Sequence, residues 1–95
     1  MPDDLATSMR HRMRVRFAEA DVEIGFSLVD MAEAEALSGD FARAAQILAD
    51  AENIFLDIQQ ICAKLSDRER DPFLPLLGEL RRAIGLARLH IASPH

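Results

Sequence analysis

The chain of 95 residues contains no tryptophan or tyrosine, one cysteine, four glycines and four prolines. The lone Cys62 excludes an internal disulfide. The N-terminus shows no basic start, apolar run and small-residue cleavage site, so the reading is a reducing, cytoplasmic setting. Long apolar runs are missing as well, because charges interrupt every stretch short of the roughly 20 residues that a membrane-spanning helix requires. Bases are outnumbered, 11 Lys and Arg against 16 Asp and Glu. The resulting net charge of −5 gives a surface field that repels phosphate backbones and anionic lipid. Nucleic acid is therefore the less favoured kind of partner, and a membrane is not expected to be one.

The residue groupings that carry common chemistries are also missing. His11, His90 and His95 have no histidine four positions away and no cysteine at metal-ligand spacing. No Glu has a His three positions on, as a di-metal helical site would require. There is no glycine-rich phosphate loop and no nucleophile elbow. Cys62 falls on an apolar helix face, where desolvation disfavours the thiolate. No catalytic residue, cofactor site or metal ligand is assigned, and the chain reads as a non-enzyme.

What is present is helix-forming material: 49% hydrophobic residues rich in Ala, Leu and Ile, with 28% charged residues. Ala44, Ile47, Leu48, Ala51, Ile54, Phe55, Ile58, Ile61, Cys62 and Leu65 recur at the spacing of one helical face, with Asp40 as a cap. Gly39 before it allows the chain to reverse. Phe73, Leu76, Leu77, Leu80, Ala83, Ile84, Ala87 and Ile91 repeat the pattern after Asp71-Pro72, although Pro75 disturbs the first turn. The predicted elements are helices at about 4–37, 41–66 and 72–91, with a frayed tail at 92–95. Short connections make sequential helices antiparallel neighbours, which predicts an all-α, up-down-up three-helix bundle forming a single domain over 1–95.

The first helix carries two apolar stripes. Met13, Phe17, Ala20, Ile24, Leu28 and Met31 form the one expected to face the core. Val15, Val22, Phe26 and Val29 form a second about 150° away at roughly 100° per residue, with Ala18, Gly25, Ala32 and Ala36 bridging the two. One helix of a monomeric three-helix bundle needs an apolar face little more than ~100° wide. Val15, Val22, Phe26 and Val29 are therefore the candidate interface, with Leu86 and Leu89 as neighbours, and a homodimer is the expected way to cover it.

Charge is lopsided along the same helix. Arg10, Arg12, Arg14 and Arg16 crowd one end, and Glu19, Asp21, Glu23, Asp30, Glu33 and Glu35 follow without an intervening base. In the predicted bundle the basic end lies near Asp67, Glu69 and Asp71, and the acidic end near Arg81, Arg82 and Arg88. Alternatively, the four arginines are a patch for an acidic partner. Met9 to Phe17 also alternates apolar and basic residues as a half-buried strand does. Taken as a strand before two helices, it resembles the ribbon-helix-helix DNA binders and implies a nucleic-acid-binding or regulatory role for the arginines.

Gly39-Asp40-Phe41 with Ala44, Leu48 and Ala51, and Leu28 and Ala32 upstream, resembles the second half of a tetratricopeptide repeat over about a third of the chain. Glu35 stands where that family has an aromatic, and Leu56 where it has a closing proline. A hairpin followed by a third helix is similar to the three-helix domains of the microtubule-interacting-and-trafficking type. Either resemblance implies binding of a protein or peptide in a groove between helices. The functional expectation is a non-enzymatic helical protein-protein interaction module, self-associating and without cofactor.

Overall fold

The structure is a computed structural model that describes residues 2–92, with side chains described from residue 6 onward. The described residues are all-α and include no strand: α1 (Pro2–Leu37), α2 (Phe41–Ala63), α3 (Asp67–Arg70) and α4 (Phe73–Ala92). Of the expected tail at 92–95, Ala92 closes α4 and the rest lies outside the described residues. Met9 to Phe17 is helical, which corrects the ribbon reading. Its alternation is local, whereas the three- and four-residue spacing of apolar positions continues unbroken from Val15 to Ala36, and arginine is a good helix former.

α1 ends in a paired set of backbone bonds. The Asp40 amide donates to the Glu35 carbonyl at 3.0 Å and the Gly39 amide to the Ala36 carbonyl at 3.0 Å. Gly39 sits at φ 91°, a left-handed conformation that a β-carbon would strain. One residue on, the Asp40 carboxylate accepts from the Arg43 amide at 3.1 Å and caps α2. Reversal and restart thus occupy three residues, and α1 and α2 form the most extensive helix pair in the molecule.

The link from α2 to α4 contains a short helix that the sequence reading passed over as a connection. Ser66 and Glu69 form a reciprocal cap: Ser66 Oγ accepts from the Glu69 amide at 3.3 Å, and Glu69 Oε1 accepts from the Ser66 amide at 3.2 Å. Arg70 then reaches back, its Nε donating to the Cys62 carbonyl at 3.0 Å and its Nη2 to the Leu65 carbonyl at 2.9 Å. The Leu65 carbonyl beyond the end of α2 gains a donor, and the Cys62 carbonyl, which already accepts from the Leu65 amide at 3.1 Å, gains a further one. α4 starts at Phe73, so Pro75 is its third residue, where an amide has no helical acceptor and its loss is harmless.

Each of the three long helices packs on the other two. Ile58 of α2 and Leu80 of α4 are the largest fully buried side chains, and Val22, Val29, Leu48, Cys62, Leu65, Phe73 and Ile84 surround them. The molecule measures 61 × 19 × 14 Å. α1 accounts for the length, since its 36 residues span ~54 Å at ~1.5 Å per residue.

Candidate interaction surface

The structure exchanges the two stripes of α1. Val22 and Val29 are 7% and 4% exposed, and Val15 and Phe26 are half-buried against the same core. Met13, Phe17, Ile24 and Met31, expected inside, are 55%, 58%, 46% and 50% exposed. Val15, Val22, Phe26 and Val29 are therefore packing residues within the chain, and the open apolar face of α1 is the other one.

The physical reason lies in side-chain size. The inward row runs Val15, Ala18, Val22, Gly25, Val29 and Ala32, and alternates small and medium residues. Ala18 and Ala32 are fully buried. Such a row lets the α1 backbone come close to its neighbours, while α2 and α4 supply the bulk through Leu48, Ile58, Phe73, Leu80 and Ile84. Phe17 and Met31 would hold the helices apart. Ranking the stripes by bulk picks the wrong one; the 18, 25, 32 spacing of Ala, Gly and Ala is the signal that identifies the inner face.

The outward row is equally regular. Met13, Phe17, Ala20, Ile24, Ser27, Met31 and Ala34 follow each other at steps of four and three, and all are exposed. From Phe17 onward, each lies two residues beyond its counterpart in the inward row, ~160° around the helix at ~100° per residue. Alternating steps of four and three are the seam spacing of a two-helix coiled coil. α1 thus has one seam inside the chain and one outside it. Leu86 and Leu89 of α4 also remain exposed.

The charges divide along this outward row as the sequence suggested, but they do not close on the rest of the chain as expected. His11 Nδ1, rather than an arginine, meets Glu69 Oε1 at 3.2 Å. Glu33 pairs with His90 at 3.2 Å, Glu35 with Arg43 at 3.6 Å, and Arg88 with Glu52 of α2. Arg10, Arg12, Arg14 and Arg16 enter none of the ion pairs among the described residues; Arg10, Arg12 and Arg16 are exposed and Arg14 is half-buried.

Two carboxyls are shifted in opposite directions. The hydroxyl and amide of Ser66, with His11 adding to them, hold the Glu69 carboxyl below its ordinary value. Burial and the nearby Asp57 push Asp21 up. Asp21 lies with Arg14, Phe17, Asp57, Gln60, Ile61 and Lys64 around a shallow hollow between α1 and α2. A second hollow, between α2 and α4, is lined by Glu52, Phe55, Leu56, Arg81, Ile84 and Arg88 and is spanned by the Arg88–Glu52 pair. Burial pushes the Cys62 thiol up, with Arg70 opposing, so little thiolate is present near neutral pH.

Among the described residues, no group of three or more His, Cys, Asp or Glu side chains is placed to hold a metal ion, and no helix is long and apolar enough to cross a membrane. No protein-family model matches the chain, and no curated protein or solved structure is detectably similar to it.

Proposed function

We propose that this chain is a non-enzymatic helical interaction module that associates with another protein chain, in the first instance its own copy, through the outward face of α1. The scaffold is read as an up-down-up three-helix bundle in which α3 belongs to the second connection. One observation carries the functional reading: Met13, Phe17, Ile24 and Met31 form a half-exposed apolar row at coiled-coil spacing while a complete second row packs inside. Isolated exposed apolar residues need no explanation, but a continuous row at seam spacing does.

The test is the solution mass by light scattering of wild type, Phe17→Asp, Ile24→Asp and, as a control on another face, Leu56→Asp. Wild type and Leu56→Asp are expected to run as dimers, and the two α1 variants as monomers with unchanged helix content. If neither α1 variant alters the mass, the outward face is not the association surface.

A further inference from the structure

Resting on that reading, we infer that the second copy lies antiparallel on the outward face of α1, with the basic end of each α1 beside the acidic part of the other. Two independent features of the row select this arrangement: the order of its side-chain sizes and the order of its charges.

Side-chain size is the first. Along the row, bulky and small residues alternate as Met13, Phe17, Ala20, Ile24, Ser27 and Met31. An antiparallel pair whose twofold axis crosses between Ala20 and Ile24 sets Phe17 of one copy opposite Ser27 of the other, and Ile24 opposite Ala20. Met13 then faces Met31. Nearly every layer holds one large and one small residue, and the paired methionines, which adapt their shape, close each end. A parallel pair would stack Phe17 on Phe17 and Ile24 on Ile24, with Ala20 on Ala20 and Ser27 on Ser27 between them. Its layers would be overfilled and underfilled in turn.

Charge is the second. Residues 5–16 contain no Asp or Glu, and residues 17–37 contain no Lys or Arg. In a parallel pair like segments would lie side by side: Arg10 would face its own copy on the seam and Asp30 would meet Glu35 at the edge, offset only by Arg16 meeting Asp21. Reversing one copy sets the basic segment of each chain against the acidic segment of the other, and in the register given by size it places Arg16 beside Asp30 twice, by symmetry, along one edge of the seam. Asp21 and Glu23 flank the axis and approach their own counterparts, which weakens the pairing at its centre without changing its direction.

Disulfide trapping tests the arrangement in the full-length chain. The substitutions Met13→Cys and Met31→Cys fall at exposed positions, and Cys62 can stay because its thiol is buried. Under mild oxidation a mixture of the two variants is expected to give the crossed dimer, with position 13 of one copy joined to position 31 of the other, read by mass spectrometry. Met13→Cys alone is expected to stay largely uncrosslinked. Rapid crosslinking of Met13→Cys with itself would overturn the antiparallel arrangement and leave self-association standing. A wild type that stays monomeric at every concentration would overturn both.

Charge reversal supplies a second readout. Arg16→Glu and Asp30→Arg are each expected to weaken the dimer by roughly 2- to 30-fold, the range for two exposed ion pairs. The double variant is expected to regain the wild-type dissociation constant. Failure of the double variant to recover would count against the register.

Discussion

A β-carbon placed on Gly25 of α1 would lie 2.9 Å from Leu80 Cδ2 of α4, and the same atom would meet Ile54 of α2 at 3.5 Å. Gly25 is thus a point where the three long helices approach one another closely, and Leu80, fully buried, fills the space that the missing side chain leaves. A glycine in mid-helix is unfavourable by about 1 kcal/mol relative to alanine, so its presence here reflects packing.

Gly25→Val should therefore destabilise the chain by about 1–3 kcal/mol through overpacking against Leu80. Gly78 and Gly85 of α4 are the contrast, because a β-carbon at either meets nothing within 4 Å and neither has a positive φ. Gly78→Ala and Gly85→Ala should each stabilise by about 0.5–1 kcal/mol. Urea unfolding of the three variants checks this, and a stabilising Gly25→Val would mean that α1 does not approach α4 at this point.

The orientation of α1 has its own test. Val29 is buried and Ile24 is exposed, although Ile24 is the larger and more apolar residue. In dilute protein Val29→Asp should lower stability by about 3 kcal/mol or more, because an unpaired carboxylate would be taken into the core. Ile24→Asp should change it by about 0.5 kcal/mol or less. The reverse ranking would put the stripe of Met13, Phe17 and Ile24 back inside. Ile58→Ala, in the centre of α2, should cost about 2–5 kcal/mol under the same conditions.

The three long helices differ in how far their sequences made them legible. In α2, Ala44, Leu48, Ala51, Ile58 and Cys62 are buried where their periodicity put them, because that helix has one apolar face and a polar remainder. α4 was legible for the same reason through Phe73, Leu80, Ile84 and Ala87. α1 was legible as a helix but not in its rotation. Two apolar rows on opposite sides give no net direction, and only the sizes of the residues on α2 and α4 decide which row fits. The short α3 was written in the Ser66-x-x-Glu69 pattern, which needed to be read as a helix start and not as a connection. The open face was anticipated as a surplus of apolar residues on α1; its location was not, since it is whatever the packing leaves over.

The opposite shifts of Glu69 and Asp21 give opposite acid dependences. Glu69 is held below its ordinary value of 4.5, so its contribution to stability is complete above that pH and is lost as pH falls through the lower folded-state value. Asp21 is raised above 3.8, so stability declines as pH rises from there through the raised value, and the ionised side chain is a burden at neutral pH. Glu69→Gln should thus be less stable than wild type at pH 7 and approach it in acid. Asp21→Asn should be more stable at pH 7 and likewise converge in acid. Thermal melts of dilute protein at several pH values check both signs; a Glu69→Gln deficit that persists unchanged in acid would assign its effect to something other than the carboxylate charge.

Arg70 couples the end of α2 to the accessibility of Cys62. Its guanidinium donates to the carbonyls of Cys62 and Leu65 at the turn, and Cys62 is only 3% exposed. A thiol reagent reaches Cys62 when this end of the helix opens locally. Arg70→Ala removes two charge-assisted hydrogen bonds and should cost about 1–3 kcal/mol. If opening is local, labelling of Cys62 should then accelerate by roughly 5- to 150-fold. Arg70→Lys should restore little of the protection, since one ammonium cannot reproduce the forked pair of donors. Labelling at the wild-type rate in Arg70→Ala would show that the end of α2 is held by the packing of Leu65 and Phe73, with the carbonyl contacts contributing nothing to its closure.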